Sequence, residues 1–462
     1  MAAPEEARDA TNPTRASPKT SPKTSLHTPA DDLEANAKTH PYAAHHLNLE
    51  FEHYFHGPRD IHRHSKWPYF LRLHGSILPK MIVPLTFVGV WATLITTIHE
   101  FLHALGVNSV LLTVTGFVVG LSLSFRSTTA YERYIEGRKY WAQLLLASRN
   151  LARIIWVHTQ ERHAESAELG KKDLLGKLAA LNLLNAFAVS LKHRLRFEPS
   201  VEYPDIAPLL SHLHVLAKDA DQAALRERQH PFWKATAQYL GLSFAQPNPR
   251  KLFKQAKDNL GNTPLEVLTY LSAYLESIFQ NKTLSIGANQ GQAMNYLALL
   301  ADALVGAERV VNTPLPIAYS ISIAQITWAY VLMLPFQLVK PLSWVAIPAT
   351  VIAGYIILGM AKIGRELENP FGQDVNDLPL DAFCHELAND IDAMTSSPAP
   401  VNEKWMEESS AQVLWPLSAV GFKGWEGKSV EEIRAALKVK AGSRDVDRER
   451  RNTLIVSEAL TS

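Results

Sequence analysis

Cysteine is nearly absent. Cys384 is the single one among 462 residues, which excludes an internal disulfide framework and a zinc site built on cysteine pairs. Net charge is nearly absent too. The 46 Lys and Arg against 45 Asp and Glu leave +1. General nucleic-acid binding needs a basic footprint, so no nucleic acid is expected as a partner. No nucleophile elbow, phosphate-binding glycine loop or dinucleotide fingerprint occurs, and the chain is not read as an enzyme. Residues 1–40 hold no apolar run of the secretory kind, and Glu5, Glu6, Asp9, Asp31 and Asp32 do not suit a transit peptide. With the repeat Ser17-Pro18-Lys19-Thr20-Ser21-Pro22-Lys23-Thr24, they read as a disordered tail open to proline-directed phosphorylation.

The most informative absence is that of charge from four long stretches, 81–98, 107–125, 315–339 and 341–361. Each reaches or approaches the roughly 20 residues that carry a helix across a bilayer. The turn from His99 to Gly106 joins the first two, in what should be a tight hairpin, and Lys340-Pro341 reverses the last two. Buried helices of a soluble protein would not come paired by such short connections. The expectation is an all-α, polytopic membrane protein with four transmembrane helices in two hairpins, 81–125 and 314–361, and a helical cytosolic domain. Basic residues flank both hairpins on one side: Arg59, Arg63, Lys66, Arg72 and Lys80 before the first, Arg126, Arg133, Arg138 and Lys139 after it. Arg309 precedes the second hairpin, and Lys362 and Arg365 follow it. The positive-inside rule then places both termini and the middle segment in the cytosol, without naming the membrane.

Within 126–313, Tyr140, Leu144, Ala147, Leu151 and Ile155 recur at helical spacing, as do Leu174, Leu178, Leu181, Leu184 and Leu191. Thr263-Pro264-Leu265-Glu266 starts a further helix with Thr263 as its cap. Between them 199–262 carries six prolines, from Pro199 to Pro249, and reads as an irregular insertion. Segment 41–80 is cytosolic or interfacial. Histidine crowds it and its edge (His40, His45, His46, His53, His56, His62, His64, His74), but the spacing fits no helix face, which favours solvated side chains over a metal site. An acidic turn and helix occupy 362–397. The tail 398–462 contains a capping box, Ser429-Val430-Glu431-Glu432, for a short helix to about Lys440.

Helical projection of the second stretch separates two faces. Val110, Val114, Phe117, Val118, Leu121 and Phe125 form an apolar arc; Thr113, Gly116, Gly120 and Ser124 form a narrow small or polar stripe about 100° away. The stripe is expected to pack on a neighbouring helix. The arc then faces lipid or a central pore, and periodicity alone leaves both open. No turn residue separates Phe125 from Arg126, so this helix is expected to leave the membrane and continue into water.

Three blocks carry more specific information. The first is Gly120-Leu121-Ser122-Leu123-Ser124-Phe125-Arg126 with Ala130-Tyr131-Glu132-Arg133 and Glu136-Gly137-Arg138. The second is Glu308-Arg309-Val310-Val311-Asn312-Thr313-Pro314-Leu315-Pro316-Ile317-Ala318-Tyr319, continuing to Leu334-Pro335-Phe336. The third is Glu368-Asn369-Pro370-Phe371-Gly372-Gln373-Asp374-Val375-Asn376-Asp377-Leu378-Pro379-Leu380-Asp381. In order and in position around the hairpins, they resemble the bestrophins and their relatives in bacteria, plants and fungi, over about residues 65–395. The resemblance implies a homopentamer in the lipid bilayer, its central pore lined by the second span and passing chloride or similar small anions. It puts the hydrophobic neck at Val110, Val114 and Val118, valines where animal members carry larger side chains. Arg126, Tyr131, Glu132, Arg133, Glu136 and Arg138 would form a charged collar between subunits where the helix leaves the membrane. Glu132 and Glu136 lie a helical turn from Arg-bearing positions, which favours a structural over an anion-binding collar.

In animal members the third block holds Ca²⁺, and the matching positions are the Asn369 carbonyl, Asp374 and Asp377. Val375 and Asn376 interrupt the acidic run, and two carboxylates are a thin set for an ion that takes six or more oxygens. The alternative is a structural turn with Asp377 ahead of a helix beginning near Leu380. No other cofactor is expected. An anion-selective channel with passive permeation is thus the leading expectation, with a secondary anion transporter or a membrane-anchored scaffold as alternatives. A transporter is disfavoured because no charged or helix-broken site lies mid-membrane beyond Pro84, Pro335 and Pro348.

Overall fold

The computed structural model describes residues 68, 75–106, 109–219, 260–408 and 411–442. The expectations for the 1–40 tail, the histidines of 40–74, residues 220–259 of the insertion and the last part of the tail lie outside them. Among the described residues there is no strand, only a lone bridge between Gln412 and Gly421. Eight long helices carry the fold: α1 (Leu78–Phe101), α2 (Ser109–Arg153), α3 (Ala167–Leu195), α4 (Thr263–Gln280), α5 (Gly287–Asn312), α6 (Ile317–Leu342), α7 (Ala346–Leu367) and α8 (Leu380–Thr395).

Among the described residues three stretches are long and apolar enough to cross a membrane: Leu78–Phe101, Ala167–Leu195 and Ile317–Leu367. The last comprises α6 and α7, which pack on each other after reversing at Ser343–Val345. The reversal comes later than Lys340-Pro341, at Ser343, whose φ of 48° is left-handed and costly for a residue with a Cβ. Ala167–Leu195 was not expected to be so apolar. Its Leu181, Leu184, Phe187 and Leu191 lie in the chain's own core, beside the buried cations Lys177 and Lys192, so it is the central helix of a protein interior. The apolar stretch of α2 is not one of the three; it opens a continuous helix of 45 residues, about 67 Å long.

One group of helices comprises α1, the first part of α2, α6 and α7. Here α7 is the hub, packed on the other three. The expected tight hairpin of α1 with α2 does not form, because both lean chiefly on α6 and α7 instead. The core between them is thin: Met81, Val88, Val331 and Leu358 in one cluster, Val119, Leu123 and Ile323 in another. Outward faces remain apolar, with Phe87, Val90 and Leu94 on α1 and Ile352 and Ile356 on α7 all exposed, as suits helices whose solvent is hydrocarbon.

The second group is a conventional core of α3, α4, α5, α8 and the last part of α2, centred on Trp141, Leu144, Leu151, Phe187, Leu271 and Leu300. Each fully buried side chain of this kind contributes about 1.5–3 kcal/mol. Residues 199–219 join this core through Val201, Ile206 and Leu210. Asp205 ties them to α3 by bonds to Lys192 and His193, and Asp381 of α8 accepts from Lys192 at 2.7 Å. Although burial pulls the other way, the His193 and Lys192 bonds hold the Asp205 carboxyl well below its usual range. The cap of α4 is Asn262 rather than Thr263: its side chain accepts from the Leu265 N–H, and Glu266 accepts from the Asn262 N–H at 3.1 Å. Ser429 and Glu432 form the expected capping box at 3.2 and 3.0 Å, opening a helix over 430–442.

Arg133 on α2 joins the two groups. It donates from Nε to the Glu368 carbonyl just after α7 at 3.0 Å, and from Nη2 to the Val310 carbonyl in the last turn of α5 at 2.5 Å. A third bond, from Nη1, reaches the Thr313 carbonyl. One guanidinium thus satisfies carbonyls left over at two helix C-termini. Replacing Arg133 by Ala should cost about 3 kcal/mol, by stranding three acceptors, and Lys should restore only part because an ammonium cannot fork to both ends. Thermal unfolding of the purified variants checks this. An Ala variant that melts with the parent but falls apart as an oligomer would return Arg133 to a contact between subunits.

Candidate functional site

The buried side chains on the first part of α2 are Leu112, Val119, Leu123, Arg126 and Ala130, all within about 40° of one direction around the helix. Val110, Val114, Phe117, Val118, Leu121 and Phe125 lie about 140–240° round from it, diametrically opposite, and every one is exposed, Phe117 to 73%. The arc read from the sequence is therefore the exposed face of α2. The three expected neck positions, Val110, Val114 and Val118, share it.

The small stripe lies between these two directions and does not behave as expected. Only Gly116 packs closely: a Cβ there would stand 2.7 Å from the Tyr330 hydroxyl of α6. Gly120 has open space where its Cβ would be, and Thr113 and Ser124 are exposed. The contact of α2 with α6 and α7 forms around the large residues Val119, Leu123 and Ile323, with Gly116 alone of the stripe closing against Tyr330 beside them.

The collar residues divide. Tyr131 and Glu132 are exposed; Glu132 continues the outward face of the arc, and Tyr131 lies on the side of the small stripe. Arg126 is buried, and its nearest carboxylate is Glu368 at 3.6 Å. Arg133 binds carbonyls as described above. Glu136 pairs with Arg309 of α5 rather than with an Arg of its own helix, and Arg309 also donates to the Tyr140 hydroxyl at 2.7 Å. Arg138 lies over the Phe383 ring, 4.3 Å from its centre. Between Glu136 and Arg138, Gly137 is required by close approach: a Cβ there would come within 2.9 Å of Phe371 and 3.1 Å of Pro370. The first block of the sequence is thus seated on the third.

That third block forms a closed turn. Asp377 accepts the Asp374 N–H at 2.8 Å, and its own N–H returns to the Asp374 carbonyl at 3.0 Å. Asp377 does not cap α8, whose first turn receives no side-chain cap. The Lys80 ammonium lies between Glu366 at 2.7 Å and Asp374 at 3.2 Å, a contact that sequence spacing did not reveal across 294 positions. Burial first, then the charges of Asp374 and Glu366, push the Asp377 carboxyl up to about 6. Asn369, Asp374 and Asp377 do not fit a calcium site. One carboxylate already holds an ammonium, the other spends an oxygen on its own turn, and Ca²⁺ needs several free ones.

A metal-type string escapes the first reading, His99-Glu100-Phe101-Leu102-His103, with HExxH spacing. Zinc binding requires both histidines on one continuous helix face. Here α1 ends at Phe101, His99 Nδ1 accepts the Leu105 N–H at 2.8 Å, and Glu100 accepts from Ser343. The string serves as the connection out of α1.

Comparison with known proteins agrees with the three blocks. The family model described as Bacterial/Fungal Bestrophin protein matches residues 60–393. A voltage-dependent anion channel-forming protein of Nostoc sp. is 32% identical over 340 residues, spanning 73% of this chain and 94% of that protein. Its counterpart in Synechocystis sp. is 31% identical over 329 residues, 71% and 91% of the two. A crystal structure of a bacterial bestrophin homologue from Klebsiella pneumoniae, carrying a mutation, matches with a TM-score of 0.51 at 25% identity, over 70% of this chain and all of that one. The chain is an integral membrane protein and belongs to the bestrophin family of bacterial and fungal type.

Proposed function

We propose that this chain is an anion-selective channel, and that copies of it, five in the resemblance, surround a pore with the exposed arc of α2 turned to the axis. The observation that carries the reading is the position of that arc: it is diametrically opposite the packed face of α2 and continues into the exposed Glu132 and Ile135. The names of the Nostoc and Synechocystis relatives support anions as the permeant species. In this reading α1, α2, α6 and α7 all cross the bilayer, with both termini and the α3–α5 core in the cytosol. Val110, Val114 and Val118 make the neck. An anion gains no ion pair there; it sheds part of its water against methyl groups and leaves as readily as it enters. Large, weakly hydrated anions lose least and should pass most easily. The collar is structural in this reading, because Arg133 and Glu136 are taken up by partners within the chain and Arg138 stacks on Phe383.

The turn after α7 works, in this reading, without Ca²⁺. Lys80 supplies the cation that Glu366 and Asp374 need, and it cannot be chelated away.

Replacing Val110, Val114 and Val118 together by Ala should raise unitary conductance several-fold and flatten selectivity among halides. Single-channel recording in a planar bilayer tests this. A triple variant that conducts like the parent, while Thr113 or Ser124 substitutions alter selectivity, would assign the pore to another face. Currents should be the same in EGTA and in millimolar Ca²⁺; a reversible loss on chelation would overturn the calcium-free turn. The raised carboxyl of Asp377 makes a signed prediction. The folded state holds this proton more tightly than the unfolded one, so it gives up stability as pH rises from 3.8 to about 6. Asp377→Asn keeps an acceptor for the Asp374 N–H and loses the titration. Its melting temperature relative to the parent should therefore climb across that window and level off above it. A difference that stays flat with pH would contradict the raised value.

A further inference from the structure

Where α1 begins, α6 begins and α7 ends, the helices leave a groove of about 750 Å³. One end is basic: Lys80, Arg126, Lys362 and Arg365 line it against a single carboxylate, Glu368. The other end is apolar, walled by Met81, Ile321, Trp328 and Leu358. The charges are incompletely answered from within the chain. Lys80 is bonded to Glu366 and Asp374, but Lys362 and Arg365 form no ion pair among the described residues. Arg126 is more decisive. Its side chain is 6% exposed, its distance to Glu368 is long at 3.6 Å, and its buried Nε–H has no acceptor among the described residues. A buried guanidinium N–H without a partner costs on the order of 1–3 kcal/mol, so this group is set for an anion that the chain does not contain.

We infer that the groove binds a phospholipid with an anionic headgroup, its phosphate against Arg126, Lys362 and Arg365 and an acyl chain along Met81, Ile321, Trp328 and Leu358. The charged end lies where Arg126 follows the apolar stretch of α2 and where α7 runs into its last two turns, which is the level of headgroups in one leaflet. The apolar half gives no advantage to a small hydrated anion, and the volume far exceeds what one needs; a lipid uses both halves at once. Such a lipid would bridge the start of α1 to the end of α7, next to the Lys80–Glu366 pair. The inference rests on the chain's being embedded in a membrane and not on what its pore conducts.

The test uses the full-length protein purified in a neutral detergent, with thermal unfolding measured against added short-chain phosphatidylglycerol, phosphatidylcholine of the same chain length, and glycerol 3-phosphate. Phosphatidylglycerol should raise the melting temperature by about 2–5 °C at saturation, and the other two should not. Lys362→Gln with Arg365→Gln removes two cations that hold no partner in the chain, and should weaken the apparent lipid affinity at least tenfold. Ile321→Trp, which fills the apolar half without touching charge, should do the same. Equal effects of phosphatidylcholine would reduce the groove to a detergent-like surface, and equal effects of glycerol 3-phosphate would make it a free-anion site. Double-variant protein that binds lipid normally but loses its oligomeric state would make the groove a contact between copies. Any of these three results overturns the proposal.

Discussion

A helix of 45 residues that runs from a thin-cored group of helices into a conventional core has to find a different packing partner at each end without changing its backbone. The α2 helix does so by rotating nothing and exchanging partners: α6 and α7 along Leu112, Val119 and Leu123, then α5 and α8 along Trp141, Leu144 and Leu151. Because every side chain on one rigid rod keeps its angle, the face opposite these contacts is also continuous. The exposed arc at Val110 to Phe125 and the exposed Glu132 and Ile135 beyond it follow from that single constraint. Any breaking residue near Phe125 would have uncoupled the two ends.

The transition between the ends is secured by polar groups. Around Arg126 and Arg133 meet the last carbonyls of α5, the Glu368 carbonyl and the Glu368 carboxylate. Gly137 admits Phe371, which is fully buried, and the turn that follows is closed by Asp377. The three sequence blocks that carry the family resemblance are therefore one spatial unit.

What was legible in the sequence was what is local and periodic. The apolar stretches, the uninterrupted exit of α2, the arc at Val110, Val114 and Val118 and the capping box at Ser429 all depend on neighbours a few residues apart. Two readings failed for a common reason, that partners distant in sequence decide. The small stripe was expected to make the helix contact, but Leu112, Val119 and Leu123 found α6 and α7 first. Asp377 was read as a helix cap, whereas the closing of its own turn takes its carboxylate. The apolarity of α3 reflects burial among α4, α5 and α8, and composition alone does not separate that from burial in lipid. Lys80, which neutralises Glu366 and Asp374, gave no local signal at all beyond being a cation at a helix start.

Whether the arc of α2 faces water is the point on which the channel reading turns, and the lone cysteine makes it measurable. Cys384 is buried in α8, and burial pushes its thiol up to about 12, so it is a silent background for thiol chemistry. With Val114 replaced by Cys, a charged, membrane-impermeant methanethiosulfonate reagent applied during bilayer recording should reduce the current within seconds and leave the parent untouched. A cysteine at 114 that resists the charged reagent but is labelled by a lipid-soluble maleimide, with the current unchanged, would put the arc in lipid and contradict the pore reading.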